Sequence, residues 1–228
     1  MLDNETVLDN IQDNLRERLL KYTRKAFHQI PRLSKPNILD VGCGSGIPTV
    51  ELAKLSQGTV TGLDIDEKAL NRLKNRAQEH NMTNQIRTIT GSLRNMHFAE
   101  ESFDIIWAEG SIAVIGFKQG LLSWKRYLKR GGYLVIHDEA GNINQKTNQI
   151  KACGYELIDY FELSNEVWWN EYYAPFRDAV QQLKKQEPKD PKLMKDLEQA
   201  QREIDGYQVH PERYRSAYFI MQKKIEAK

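Results

Sequence analysis

Along the 228-residue chain the spacing of apolar positions changes character twice. Over residues 1–36, Leu8, Ile11, Leu15, Leu19 and Leu20 recur at helical intervals with charge between them. This predicts an amphipathic helix, and Pro31 and Pro36 close the stretch. Such a stripe packs on the domain behind it, and a sharper reading has it also cover a ligand pocket. From 37 to 138, short apolar runs alternate with helical patterns. Asn37–Val41, Thr59–Asp64, Gln85–Thr90, Phe103–Trp107 and Gly132–His137 read as strands. Pro48–Leu55, Glu67–His80 and Gly120–Lys129 read as helices. Strand–helix alternation implies right-handed crossovers and a parallel sheet covered on both faces. Ligands of such sheets bind beyond the carboxyl ends of the strands, which here are Val41, Asp64, Thr90, Trp107 and His137.

Beyond residue 138 the pattern changes again. Tyr155–Leu163 and Ser216–Gln222 predict a sixth and a seventh strand. A hairpin needs only a short loop, whereas roughly fifty residues separate these strands, a length typical of a functional insertion. The insertion is charged and helical in pattern, with breaks at Pro188 and Pro191. Its stretch from Leu183 to Ile204 mixes Lys, Glu and Asp and reads as a solvated helical face. The expected organisation is a single domain over 1–228, with a helical cover (1–36), a core (37–163), a helical insertion (164–213) and a last strand (214–228).

Composition narrows the function classes. Hydrophobic residues are 40% and charged residues 28%, enough for a packed core. Lys and Arg number 33 against 31 Asp and Glu, so charge gives no reason to expect nucleic acid as partner. No apolar run approaches the ~18 residues of a membrane helix, so no membrane association is expected. The first residues carry Asp3 and Glu5 with no apolar run behind them, unlike a secretory signal. Cys43 and Cys153 are too few for a disulfide framework or a Cys-rich zinc site, and the five histidines show no ligand spacing. The expectation is a cytoplasmic protein, monomer or homodimer, without a metal.

The strongest chemical signal is the turn after the first strand, ILDVGCGSG from Ile38 to Gly46. Gly42, Gly44 and Gly46 let the backbone approach a ligand closely. The helix that follows offers free N–H groups and a positive dipole end to a carboxylate or phosphate. Asp64 ends the second strand 18 residues after Gly46, where an acid can accept hydrogen bonds from both hydroxyls of a ribose. A purely structural turn is the plain alternative, and a dinucleotide is the chemical one. The dinucleotide fingerprint is GxGxxG, whereas this loop runs GxGxG with Asp40 two residues before it. An acid there repels a pyrophosphate and suits an ammonium. A ligand with a carboxylate, an ammonium, a ribose and an adenine is S-adenosylmethionine.

These motifs resemble those of class I S-adenosylmethionine-dependent methyltransferases. ILDVGCGSG and TGLDID carry the likeness, and FDIIWAEGSI and LKRGGYLVIHD match the family's fourth- and fifth-strand segments. The overall look is that of small-molecule enzymes of the ubiquinone/menaquinone biosynthesis type. The resemblance implies a Rossmann-like, doubly wound α/β fold. Its seven-stranded, mostly parallel sheet would end in an antiparallel pair, with the helical insertion between strands six and seven. It implies S-adenosylmethionine as cofactor, S-adenosylhomocysteine as product and a small-molecule acceptor as partner. Carried over, Asp40 and Gly42 hold the amino-acid part, and Gly44 and Gly46 shape the loop beneath. Asp64 holds the ribose, and Ile65 packs on the adenine. Ser92, beside Leu93, stands where the family often has an aspartate facing the adenine amino group, and a hydroxyl is the weaker acceptor.

Methyl transfer needs a general base only if the acceptor must lose a proton. His137 is a candidate base, with Asp138 and Glu139 after it, and Glu109 past the fourth strand is a candidate for orienting the acceptor. At helical spacing Trp168 stands over Tyr172 and Trp169 over Tyr173. These aromatics either pack the insertion or form a substrate-binding wall of Trp168, Trp169 and Tyr172 for a flat or cationic acceptor. Alternatives to a small-molecule methyltransferase are one acting on a protein and a non-catalytic module that binds the cofactor to regulate a partner. No Asn/Asp-Pro-Pro-aromatic motif follows the fourth strand, where the chain reads Ala108-Glu109-Gly110-Ser111.

Overall fold

A computed structural model of the chain describes residues 7–186 and 188–225. Two compact units emerge, one built from residues 21–162 and 217–225, the other from 7–20 and 163–216.

The larger unit is the α/β sheet. Its strands are β1 (Asn37–Val41), β2 (Thr59–Asp64), β3 (Ile86–Thr90), β4 (Phe103–Glu109), β5 (Leu128–Glu139), β6 (Tyr155–Leu163) and β7 (Ser216–Lys223), in the order β3-β2-β1-β4-β5-β7-β6. The first five pair in parallel, and the last two are the antiparallel pair that the family resemblance implies. After β1 the chain winds to β2 and β3, then crosses back to β4 on the other side of β1. The carboxyl end of β1 is therefore the switch point, where an open crevice forms. Asp40 sits there, in register with Gly62 of β2 and Trp107 of β4.

Helix α2 (Ile47–Ser56) follows the glycine loop and is buried nearly all round, as its apolar sequence requires. Helix α3 (Glu67–Glu79) starts where the Asp66 carboxylate accepts the N–H groups of Lys68 and Ala69. It buries Ala69, Leu70, Leu73 and Ala77 along one stripe. Helix α1 (Val7–Phe27) starts one residue past the end of the undescribed segment, so the expectation of helix over Met1–Thr6 lies outside the described residues. Among the described residues no helix is long and apolar enough to cross a membrane.

Two departures from the sequence reading stand out. Helix α4 (Phe117–Trp124) ends before Lys129, and β5 begins at Leu128 rather than Gly132. The cause is an irregularity in the β4–β5 ladder: Phe103 pairs Leu128, yet Ile105 pairs Tyr133. The extra residues are accommodated around Gly131, whose φ is +70°. Helix α5 (Ile143–Ala152) has only a weak apolar stripe, and it is marked by its cap, where the Asn142 side chain accepts the N–H of Gln145.

The second unit is helical. The short α6 (Asn165–Trp168) runs through a π-turn at Trp169–Tyr173 into α7 (Ala174–Lys185), and α8 (Pro191–Val209) packs on α7. Leu197, Ala200, Ile204 and Tyr207 form a buried stripe on α8. They meet Tyr172, Tyr173, Phe176 and Val180 and, from α1, Leu8 and Leu15. The stretch read as a solvated face is thus solvated on one side only. Residues spaced at three and four positions build a second small core beneath the charge.

Candidate cofactor and acceptor site

The glycine loop is held from both sides. Gly42 and Cys43 donate their N–H groups to the Leu63 carbonyl at the end of β2. From the β4 side, the Ser111 hydroxyl donates to the Val41 carbonyl. A Cβ on Gly42 would lie 2.4 Å from the Ser111 Cβ, so only glycine lets the β4 loop close on this turn. Gly46, at φ +80°, lies against Leu73 of α3 and leads into α2.

Gly44 differs from both. Its φ is +53°, and a Cβ there would meet nothing within 4 Å. Its N–H donates to Asp64 Oδ2 at 2.8 Å, and the N–H of Asp66 donates to Oδ1 at 2.9 Å. Each oxygen of Asp64 thus receives one backbone bond and keeps a lone pair. The carboxylate is fixed in place while still able to accept from a ligand. Ile65, the next residue, is 74% exposed, an unusual position for a large apolar side chain at a strand end.

Asp40 lies beneath the loop, 2% exposed. Thr49 of α2 donates to its Oδ2 at 2.6 Å. Burial pushes the carboxyl up to about 7; Thr49 opposes this, and the acids Glu109 and Asp64 add to it. A buried acid so poised gains strongly from a cation placed beside it.

Ser92 and Leu93 follow β3. The Ser92 hydroxyl accepts the N–H of Arg94 at 3.2 Å, and Leu93 packs on the main core. Arg94 in turn donates to the Val114 carbonyl, which ties the loops after β3 and β4 together.

At the end of β4, Glu109 pairs in register with His137 of β5. Glu109 Oε1 accepts from the Trp107 indole N–H at 2.8 Å and from Thr23 of α1 at 2.9 Å. Burial raises its pKa against these two bonds and a third from Tyr218. His137 is buried and stacks flat on Tyr218 of β7, with centroids 4.2 Å apart and planes 4° apart. Burial lowers its imidazole to about 3, so the ring is neutral at physiological pH. The neighbouring acids differ: Asp138 is buried against Lys146 at 2.5 Å, while Glu139 is exposed.

The aromatic residues of the insertion belong to the helical unit. Trp168 donates its indole N–H to Ser216 at 2.9 Å and meets Tyr172 edge-on, as the spacing predicted. Trp169 stacks on Tyr207 rather than on Tyr173, with Arg177 over its ring. The π-turn accounts for this, because one wider turn shifts each later side chain around the axis. Tyr172 is 4% exposed, and its phenol is pushed up to about 12 by burial.

Two contributors were not legible in the sequence, Thr23 and Tyr218: each comes from an element remote in the chain and outside any motif. Thr49 follows the glycine loop and Ser111 lies in the fourth-strand segment, though their bonds to Asp40 and Val41 could not be read there.

A family profile described as a methyltransferase domain matches residues 33–180. The chain belongs to this methyltransferase family. A curated relative is 27-O-demethylrifamycin SV methyltransferase of Amycolatopsis mediterranei, 23% identical over 177 residues that cover 75% of this chain and 63% of that protein. Another is sterol 24-C-methyltransferase ERG6A of Gibberella zeae, 31% identical over 158 residues that cover 67% of this chain and 41% of that protein. The methyltransferase chain therefore spans less than two thirds of the length of these relatives. Among solved structures, an S-adenosylmethionine-dependent methyltransferase from Geobacter sulfurreducens, in complex with S-adenosylhomocysteine, matches with a TM-score of 0.72 at 18% identity, covering 91% of each chain. That likeness shows the class I fold.

The family's cofactor is S-adenosylmethionine, and the residues present fit it. Open space above Gly44 admits a ligand backbone where a side chain would stand in the way. Asp64 is fixed with lone pairs to spare for a ribose diol, and Ile65 offers an apolar surface to an adenine face. Asp40 is the buried anion that an α-ammonium would complement.

Proposed function

We propose that this chain transfers a methyl group from S-adenosylmethionine to a small-molecule acceptor by in-line displacement. The observation that carries the reading is the Asp64 carboxylate held by the Gly44 N–H beside the buried Asp40, one acid for a ribose and one for an ammonium. When bound, the cofactor supplies an electrophilic methyl on a sulfonium, and the protein supplies proximity and orientation. Asp40 takes the ammonium, Asp64 the ribose hydroxyls, and Ile65, Ser92 and Leu93 the adenine. Glu109 orients the acceptor and accepts its proton where one must leave, because its raised pKa makes it the better base. His137, neutral and stacked, orients rather than deprotonates.

Calorimetric titration with S-adenosylhomocysteine tests the reading on the wild type and on Asp64→Ala. Micromolar binding, about −8 kcal/mol, is expected for the wild type and a loss of it for the variant. Labelled S-adenosylmethionine then serves to screen acceptors, beginning with small aromatic and cationic metabolites. Absence of binding to well-folded wild type would overturn the proposal.

A further inference from the structure

Three side chains from three elements converge on Glu109. Thr23 comes from α1, Trp107 from β4 itself and Tyr218 from β7, and each bonds the same carboxylate. A carboxylate has about four lone-pair directions, so one is left for a further donor. Tyr218 does more than the other two. Its ring lies flat between two others: His137 at 4.2 Å on one side and Phe161 of β6 at 5.1 Å. Lys25 of α1 then stands 4.0 Å over the Phe161 ring. Ammonium, phenyl, phenol and imidazole thus form one continuous stack.

We propose that Tyr218 is a positioning residue of the acceptor site: its hydroxyl holds the Glu109 carboxylate while its ring holds the His137 imidazole, so that one side chain of β7 sets the geometry of both. This rests on the reading of Glu109 and His137 as acceptor-end groups. Its physical content is that Tyr218 stabilises the ionised form of Glu109. A hydrogen bond to a charged acceptor is stronger than one to a neutral acid, so the phenol favours the carboxylate that Glu109 must be in order to accept a proton. The other titratable groups around Glu109 are Asp40 on β1, whose charge is felt across the register, and His137 on β5. On α1 the flanking cations are engaged elsewhere: Arg24 pairs with Glu51 at 2.5 Å and Lys25 lies over Phe161. Among the described residues the donors to Glu109 are neutral, and they oppose the effect of its burial.

The Trp107 indole N–H donates directly to Glu109, which gives a reporter that needs no acceptor. In nitrogen-15 spectra its indole signal, assigned with Trp107→Phe, should titrate as Glu109 ionises. Tyr218→Phe keeps the stack and deletes the hydroxyl. Its expected effect is an upward move of that midpoint by about one pH unit. A purely structural tyrosine would leave the midpoint unchanged, and that result overturns the proposal. Should Tyr218→Phe not fold, the wild type decides alone. Its Tyr218 ring carbon bearing the hydroxyl must shift at the same midpoint as the Trp107 indole, and separate midpoints overturn the assignment. Calorimetry with S-adenosylhomocysteine on the same samples keeps the two readings apart. A normal network without cofactor binding removes the methyltransferase function, not the coupling of Tyr218 to Glu109.

Discussion

If Asp40 takes the cofactor's ammonium as proposed, it ties cofactor binding to pH. In the ligand-free protein its carboxyl is raised to about 7, chiefly by burial. An ammonium beside it favours the ionised form and lowers that pKa. Binding at pH 6 must therefore expel a proton that is already absent at higher pH. With the bound-state pKa well below 6, linkage gives an affinity ratio of roughly eightfold between pH 6 and pH 7.5, and about 0.9 proton released per site at pH 6. Calorimetry with S-adenosylhomocysteine in buffers of differing ionisation enthalpy measures both quantities. Asp40→Asn keeps an acceptor for Thr49 and removes the titration, so its affinity should be weaker and flat over this range. The same shift has a signature without ligand. A carboxyl whose folded pKa is raised costs no stability below its unfolded pKa of 3.8, and the cost grows as pH rises towards 7. The full shift corresponds to on the order of 4 kcal/mol above pH 7. Asp40→Asn should therefore stabilise the ligand-free protein more at pH 8 than at pH 5, as read by thermal unfolding. A wild-type affinity that is flat from pH 6 to 7.5, with no proton release, would refute the account of Asp40 as the ammonium's partner.

Two further perturbations test the frame around the site. Gly42→Ala puts a Cβ 2.4 Å from that of Ser111 at a φ of +72°; it should cost about 2–4 kcal/mol, and Ser111→Gly in the same chain should recover part of that loss in chemical denaturation. Lys146→Met leaves Asp138 buried without its 2.5 Å partner and should destabilise by about 3–5 kcal/mol, whereas the double change with Asp138→Leu should be markedly milder.

Much of this arrangement was readable because it is local. β1, β2 and β6 fall where the apolar runs placed them. The glycine loop and Asp64 form a motif whose spacing is set by one strand–helix–strand unit. What was not readable depends on contacts between distant segments. β5 extends past its expected start because its partner Phe103 draws Leu128 into the ladder. The insertion hides its stripe beneath alternating charge, since Leu197, Ala200, Ile204 and Tyr207 show a core only when read at helical period. The π-turn redirects Trp169 to Tyr207, which no count of four residues foretells.

The same distinction separates the two ends of the site. The proposed cofactor end draws mainly on backbone N–H groups, glycines and two acids between Asp40 and Asp64, so a sequence motif can carry it. The proposed acceptor end draws on side chains of α1, β4, β5 and β7, with Thr23 bonding a carboxylate 86 residues away. Each of those elements can change its contribution without touching the glycine loop. The names of the curated relatives attach to acceptors as unlike as a rifamycin and a sterol. On that proposal the acceptor end is a neutral imidazole, a phenol and a carboxylate whose donors among the described residues are uncharged. A carboxylate without a neighbouring cation favours an acceptor that brings a donor, a hydroxyl or an amine, over one that brings an anion. That is the chemical class in which the search for a substrate begins.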